Sequence, residues 1–265
     1  MKSINGTSAV LSILCFLLIY SNIYSQENDF VIPNPHPINL GIKGGLSVPQ
    51  LSGGNTEQSQ GYKTRLGPNF GVFGNIALTP NFSLQLEAFY ASQGGKKTGI
   101  QPIDPSSVPL PIPAGVNLYA DFSNEAVLNY LEIPLIAKYS FSLSSLFSAY
   151  VDAGPYVGFL LNAKTITSGT SSLYVDKNGT PLVIEGFAAI PPQNFDQTTT
   201  ITSDIKTLNT GITGGFGIAR PIMYGEIILD IRGSYGFTNI QKNSINGKNN
   251  TGSLVVTLGY SYNIY

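Results

Sequence analysis

Three charged residues late in the chain have the types and spacing that acid–base chemistry needs. Glu226, Asp230 and Arg232 lie in a segment where apolar and polar residues alternate. Side chains an even number of positions apart share one face of a strand, so all three point the same way. Two carboxylates beside a guanidinium could act as acid and base. The sequence indicates no substrate cleft beside them, which favours a structural ion-paired role over catalysis.

Few other residues have side chains that could catalyse a reaction or bind a metal. His36, the single histidine, has no neighbouring His, Cys or paired acid that would indicate a metal site or a catalytic triad. The glycine-rich segment 211–217 lacks the Lys-Ser/Thr pair of a phosphate loop, and glycines that make room inside a curved sheet explain it better. The net charge of −1 argues against nucleic-acid binding. We therefore expect no enzymatic activity, no cofactor and no metal.

Long strands of alternating polarity would position the charged residues. In segment 129–163, nearly all odd-numbered positions in two runs are apolar, whereas even-numbered positions carry charges, tyrosines and glycines. Each run can exceed ten residues, which suits a tilted strand crossing a bilayer. Charged residues make up only 11% of the chain, against roughly 25% in an average soluble domain. This composition is typical of a chain that presents apolar side chains to lipid.

The connections between strands predict the architecture. About eight strands emerge, and long links alternate strictly with short turns near 79–81, 140–145 and 220–221. We predict an all-β fold, an eight-stranded antiparallel up-and-down transmembrane β-barrel with short periplasmic turns and long extracellular loops. Barrel closure pairs the backbone groups that lipid cannot satisfy. A soluble β-sandwich, the rival fold, leaves the alternation of loop lengths unexplained. The long links are 49–66, 94–124, 164–202 and 237–250.

The N-terminus predicts export. Lys2 precedes the apolar run 9–20, which is too short for a comfortable transmembrane helix, and a small residue, Ser25, marks the expected cleavage site. We expect a signal peptide at 1–25, a periplasmic lead-in at 26–37 and the barrel domain at 38–265. The only cysteine, Cys15, lies in the signal peptide, so the mature chain would contain no disulfide.

Eight charged residues fall on the predicted inward face. An eight-stranded barrel is just wide enough for side chains to fill its interior, and charges there must pair or meet water. We expect a polar network that closes the lumen, and a narrow channel or proton path is the alternative. The predicted network consists of Lys43, Glu87, Glu132, Lys138, Asp152, Glu226, Asp230 and Arg232.

The remaining candidate functional residues lie in the long loops and in the last strand. Loops 94–124 and 164–202 are long enough to bind a ligand or a partner protein. Their acids are Asp104, Asp121, Asp176, Glu185 and Asp196, and their aromatic residues are Tyr119, Phe122, Tyr174, Phe187 and Phe195. The last strand contains a pattern that resembles the sorting signal of outer-membrane barrels, which predicts contact with the assembly machinery. Its residues are Thr257, Gly259, Tyr262 and Ile264.

Four segments in order resemble the PorT-like outer-membrane β-barrel family of the Bacteroidetes. They are 41–46 (GIKGGL), 130–135 (YLEIPL), 153–158 (AGPYVG) and 235–240 (YGFTNI). The resemblance implies an eight-stranded barrel in the outer membrane and no particular activity. One branch of the family resembles a component of a protein-secretion and gliding system, and nothing in the sequence assigns the chain to that branch.

The sequence thus predicts a non-enzymatic barrel held in outer-membrane lipid, with a filled lumen and with loops that contact a ligand or a partner protein. An accessory subunit of a secretion or gliding apparatus and a narrow pore are the alternatives. A barrel enzyme acting on lipid is least favoured, because the chain lacks the His, Cys and Ser arrangement of such enzymes.

Overall fold

The computed structural model describes residues 38–108, 110–112, 115–184, 190–243 and 246–264. The predicted signal peptide, the lead-in with His36, and Glu185 and Phe187 lie outside the described residues. Eight long antiparallel strands dominate the structure. They are β1 (Ile38–Ser52), β2 (Gly67–Ala77), β3 (Phe82–Ile103), β4 (Leu118–Ser142), β5 (Ser148–Ser168), β6 (Leu208–Ile222), β7 (Gly225–Gly236) and β8 (Asn250–Asn263).

The eight strands close into a ring. Each strand pairs antiparallel with the next along the chain, and β8 pairs with β1 from Asn39 opposite Asn263 to Ser52 opposite Asn250. Every one of the eight strands therefore has a partner on both sides, as a bilayer requires. The predicted eight-stranded antiparallel up-and-down barrel is confirmed. Among the described residues, no helix is long and apolar enough to cross a membrane.

Large apolar side chains cover the outside of the barrel. Ile42 is 62% exposed to the surroundings, and Phe216 is 57% exposed. Their strand neighbours on the other face, such as Lys43 and Gly217, are buried. This inside-out pattern is that of a barrel whose outer surface meets lipid. The predicted outward orientation of the apolar face is confirmed.

The predicted loop 94–124 is wrong over most of its length. β3 continues to Ile103 and β4 begins at Leu118, and the two stay paired from Gly94 opposite Val127 to Ile103 opposite Leu118. Pro102 lies near the end of β3, where a missing N–H interrupts few ladder bonds. The connecting loop is 104–117, and its described part begins with a 3-10 turn, Pro105–Ser107. The paired strands therefore form a hairpin that projects beyond the membrane.

The second long loop is also shorter and more structured than predicted. β5 extends to Ser168, and four short strands follow before β6 in the described part of this loop. One of them, Gln197–Thr200, pairs with β5, and another, Leu173–Tyr174, pairs with β4. The predicted turn at 220–221 is wrong, because Pro221 pairs with Glu226 inside the β6–β7 ladder and the turn lies at 223–224.

Interior glycines allow aromatic rings to fill the lumen. A Cβ placed on Gly217 would lie 2.3 Å from the ring of Tyr150, and one on Gly211 would lie 2.6 Å from the ring of Tyr156. Both tyrosines are almost fully buried. The glycines of segment 211–217 thus serve close packing inside the barrel wall, as predicted.

Candidate functional site

Arg232 of β7 lies at the centre of a buried network of charges. Its Nη1 donates to both carboxylate oxygens of Glu87, at 2.8 and 2.7 Å. Its Nη2 lies 2.7 Å from Asp152 Oδ2, and its Nε lies 3.1 Å from Asp230 Oδ1. All three guanidinium nitrogens are therefore engaged by carboxylates, the arrangement that a buried arginine needs.

Lys43 of β1 completes this network. Its Nζ lies 2.7 Å from Asp230 Oδ2 and 3.7 Å from Glu87 Oε1. The hydroxyl of Tyr150 donates to the same Asp230 oxygen at 2.6 Å, and Gln85 Nε2 donates to Glu87. The network joins β1, β3, β5 and β7 across the lumen, so it ties opposite walls of the barrel together.

Among the described residues, the other three members of the predicted network form no ion pair with these five. Lys138 Nζ lies 3.8 Å from the centroid of the Tyr150 ring, a cation–π contact. Glu132 accepts a hydrogen bond from Gln93 Nε2 at 2.9 Å. Glu226 and Lys138 both line a vestibule of about 350 Å³ at the periplasmic end. In the described part of the chain, the lumen thus contains one compact ion-paired network and three charges outside its ion pairs.

Several interior residues were not singled out by the sequence analysis. Tyr130, Tyr150 and Tyr156 occupy inward positions, as does Asn209, whose Nδ2 donates to Thr251 Oγ1 at 2.8 Å. Strand parity places all of these side chains inside. No pattern in the sequence indicates which of them touch a charge, because those contacts join strands that are distant in the chain.

An apolar plug closes the extracellular end of the lumen. Ile205 and Ile240 come from the loops before β6 and after β7, and they pack against Leu128 and Tyr130 of β4. Tyr62, from the loop after β1, packs on the same cluster and its burial raises the pKa of its hydroxyl. These loops therefore fold back over the barrel mouth and pack against β4 above the charged network.

The end of the β3–β4 hairpin and the loop after β5 combine into an extracellular lobe, defined here by the described residues within 99–122 and 169–196. It has an apolar core of its own, with Leu118 and Leu173 almost fully buried. The rings of Phe122 and Phe195 stack with their centroids 5.0 Å apart. A short sheet, Thr170–Ser171 with Gln193–Asn194, closes its outer part. The lobe is thus a folded unit on the projecting β3–β4 hairpin.

The acidic residues of the lobe mainly accept hydrogen bonds that stabilise its turns. Asp176 accepts hydrogen bonds from the backbone and hydroxyl of Thr180, and these bonds lower the pKa of its carboxyl. Asp104 is held in the same way by Ser106, which lowers the pKa of Asp104. Asp196 accepts from the backbone N–H of Gly169 at 2.8 Å. Across the described ranges, no three His, Cys, Asp or Glu residues form a group that could hold a metal.

The residues of the predicted sorting pattern occupy both faces of β8. Thr257 is buried inside, and a Cβ on Gly259 would lie 2.7 Å from Lys43 Cγ, so only glycine fits beside that lysine. Tyr262 and Ile264 face outward and are exposed to the surroundings. Two of the four positions thus have a packing role inside the finished barrel.

The family model of the outer membrane protein beta-barrel domain matches residues 24–242. This chain belongs to that family. It is an outer-membrane protein, in contact with membrane lipid through its apolar outer face. No curated protein matches the sequence significantly.

Solved structures of outer-membrane barrels share low sequence identity and low TM-scores with this chain. The outer membrane protease OmpT from Escherichia coli shares 13% identity at a TM-score of 0.40, over 89% of this chain and 99% of that one. Neisserial surface protein A shares 10% identity at 0.38, over 86% and 97%. Ail of Yersinia pestis, in complex with the heparin analogue sucrose octasulfate, shares 12% identity at 0.34, over 85% and 99%. These likenesses carry no argument about activity.

Proposed function

We propose that this protein is a closed, non-enzymatic barrel that presents its extracellular lobe to a ligand or partner protein. The observation that carries the proposal is the contrast between the two halves of the molecule. The Arg232 network crosses the lumen, and the apolar cluster around Ile240 lies over its mouth, and both support a closed barrel. The lobe, in contrast, has a folded apolar core outside the membrane, and an ordered platform costs less entropy on binding than a loose loop.

The closed lumen predicts the absence of ion conductance. Planar-bilayer recordings of the refolded mature chain should show no unitary current steps beyond those of a boiled sample. A reproducible conductance in the unboiled protein alone would contradict the closed barrel and favour the narrow pore. In that case Arg232→Met, which removes the centre of the network, should change the size of the current steps.

The second prediction is that binding of a partner protein requires the lobe. Crosslinking in intact cells, followed by purification, should recover a partner with the wild-type protein. A variant in which 104–117 and 169–196 are replaced by short Gly/Ser loops should lose that partner and keep its barrel. The barrel's heat-dependent migration on gels is the control for folding. Recovery of the wild-type barrel alone would contradict the binding role.

A second candidate is an accessory subunit of a secretion or gliding apparatus, which rests on the PorT-like resemblance. The four resembling segments contribute Lys43, Tyr130, Tyr156 and Ile240 to the lumen. The resemblance to the PorT-like family therefore supports a similar barrel interior more than a similar docking surface. Recovery of other envelope proteins of an export machine in the crosslinking experiment would favour this candidate.

Export by a cleaved signal peptide and sorting by the last strand belong to the same proposal. N-terminal sequencing of the protein purified from outer membranes should begin at Gln26. An uncleaved N-terminus would contradict the predicted boundaries of the signal peptide at 1–25 and of the lead-in at 26–37.

A further inference from the structure

Two lysines face each other across neighbouring segments at the extracellular end of the barrel. The backbone N–H of Lys63 donates to the carbonyl oxygen of Lys96 at 2.8 Å, and the N–H of Lys96 donates back at 3.0 Å. The side chains of such an antiparallel pair point to the same face, and like charges placed directly opposite each other are destabilising. Both side chains are exposed, and across the described ranges neither forms an ion pair with a carboxylate. These two residues are called the lysine pair below.

The lysine pair points away from the lumen. Gly95, next to Lys96, faces the interior, since a Cβ on it would lie 3.2 Å from Tyr62 Cβ and Tyr62 packs on the apolar plug. The strand partner of Gly95 is Ala126, which belongs to the same plug. Successive side chains of an extended strand alternate between the two faces. Lys63 and Lys96 therefore lie on the outer surface.

The charges around the lysine pair leave this surface positive. Glu125 is the strand partner of Lys96, but its Oε1 already lies 2.7 Å from Arg65 Nε. The Arg65 side chain is only 8% exposed, so this ion pair is held against the barrel wall. The two lysines and Arg65 supply three positive charges, and Glu125 supplies one negative charge. Among these four residues, two positive charges are therefore left over.

The lysine pair lies at the height where lipid headgroups meet the barrel. Among the described residues of the wall formed by β1, β2 and β3, Leu66 is the exposed large apolar residue nearest the extracellular end, and it is 66% exposed. Lys63 lies three residues beyond it, about 10 Å along the tilted chain. The headgroup region on each side of a bilayer is roughly 5–8 Å thick. Flexible lysine side chains at this height can therefore reach the phosphates of the lipid.

We propose that the lysine pair binds a phosphate monoester on a lipid of the outer leaflet. A phosphate monoester carries a charge of about −1.5 to −2 at neutral pH, which matches the two positive charges left over on this surface. Lysine ammonium groups donate to phosphate oxygens as point charges, and basic side chains at a membrane surface attract anionic headgroups. The bound phosphate removes the repulsion between the two lysines and fixes the depth of the barrel in the membrane. This lipid site is separate from the partner-binding role proposed for the lobe.

The test is native mass spectrometry of the mature barrel, refolded in a neutral detergent and mixed with defined lipids. Phosphatidic acid, a phosphate monoester, should bind several-fold more tightly than phosphatidylglycerol, a phosphodiester with the same acyl chains. Equal binding of the two lipids would overturn the proposal. Inorganic phosphate at the same concentration as the lipid should leave the complex intact, because it has no acyl chains. Displacement of the lipid by inorganic phosphate would assign the surface to the free ion and would also overturn the lipid site.

Paired variants locate the site. Lys63→Gln combined with Lys96→Gln should weaken the binding of phosphatidic acid roughly 30-fold, since each basic side chain at a membrane surface contributes a factor of roughly five. Replacement of both lysines with arginine keeps the charge and should keep most of the affinity. The matched control combines Lys177→Gln with Lys248→Gln, two other exposed lysines on the extracellular side, and should bind like the wild type. Equal losses in the two glutamine variants would indicate general charge attraction and overturn the site.

The repulsion within the lysine pair allows a second measurement that does not depend on lipid affinity. In neutral detergent without anionic lipid, Lys63→Gln removes this repulsion and should unfold at a urea concentration equal to or above that of the wild type. After phosphatidic acid is added, the wild type should become the more stable of the two, because it binds the lipid more tightly. Heat-dependent migration on gels confirms that each variant is folded. A Lys63→Gln barrel that is less stable without lipid would show that Lys63 already has a stabilising partner in the protein, which would contradict the proposal.

Discussion

At the scale of single residues, Arg232 joins three carboxylates that would otherwise face one another inside a closed lumen. These carboxylates are less than 10% exposed, so bulk water does not solvate them. Replacing an interior ion pair with an apolar group is tolerated when both partners change together, whereas removal of one partner leaves a buried charge uncompensated. The stability of the barrel should therefore depend sharply on this one side chain.

We expect Arg232→Met to lower the free energy of unfolding by about 3–5 kcal/mol. Urea unfolding in detergent, followed by circular dichroism, measures this change. Lys177→Met removes one partner of an exposed 3.9 Å ion pair with Glu57, and it should change stability by less than about 0.5 kcal/mol. Equal stability of the two variants would show that the network contributes little.

Gly217 tests the packing inside the barrel. Gly217→Ala places a methyl group against the Tyr150 ring and the backbone oxygen of Leu229, and we expect a loss of about 1–3 kcal/mol in the free energy of unfolding. Gly233→Ala is the matched control, because a Cβ there meets no atom within 4 Å. The same unfolding assay applies, and a Gly217→Ala barrel as stable as the control would contradict tight packing at this position.

At the scale of elements, the β3–β4 hairpin unites the membrane wall with the extracellular lobe. Its lower part presents apolar side chains to lipid, whereas its upper part carries Phe122 and its neighbours in the lobe core. The strands do not stop at the membrane surface because the second long loop covers them and supplies pairing partners. We therefore expect the lobe to unfold locally while the barrel stays folded.

We expect Phe195→Ala to loosen the lobe without unfolding the barrel. The variant loses the ring stacked on Phe122, so cleavage by proteinase K within the lobe should become several-fold faster. Val183→Ala is the control within the same loop, since Val183 is 83% exposed. Unchanged cleavage of Phe195→Ala would indicate that the stack does not hold the lobe together.

The turn at Asp176 should respond to acid. Hydrogen bonds from Thr180 lower the pKa of the Asp176 carboxyl, so the ionised carboxylate stabilises the folded turn. That stabilisation is complete above the ordinary Asp pKa of about 3.9 and is lost as the pH falls through the lowered value. The NMR shift of the Thr180 amide should report a midpoint below the ordinary one. In Asp176→Asn that titration should disappear, and an ordinary midpoint in the wild type would contradict the assignment.

At the scale of the whole molecule, closure between the first and last strands makes the barrel a single unit. β8 pairs with both β1 and β7, so the chain cannot be sealed before its C-terminal strand is in place. A signal for assembly in that strand would couple recognition to closure. Gly259 and Thr257 also pack inside the barrel, which makes Tyr262 the cleaner test of sorting.

We expect Tyr262→Ser to reduce the amount of barrel in the outer membrane several-fold. Tyr260→Ser is the matched control, because Tyr260 faces the same side of β8 and lies outside the pattern. The measure is the heat-dependent band on SDS gels of isolated outer membranes, since folded barrels migrate differently before and after boiling. Equal losses in both variants would assign the effect to general apolar contact rather than to a signal.

The period-two pattern of the sequence was enough to predict the strand number, the outward apolar face and the membrane location, because each depends on local alternation and on the order of short and long links. The same parity placed Lys43, Glu87 and Arg232 inside. Two predicted links were wrong at positions that contain prolines, Pro102 and Pro221, and both prolines lie inside strands. A proline interrupts a strand only where its missing N–H would have paired.

Tertiary structure alone decided which interior charges meet. Arg232 contacts Glu87, which is 145 positions away in the chain, and it does not contact Glu226, six positions away on its own strand. Only barrel closure and stagger bring β3, β5 and β7 to the same depth, so residue spacing carries no information about these contacts. The lobe core and the burial of Glu132 have the same origin, because burial is set by strands that meet only after the barrel has closed.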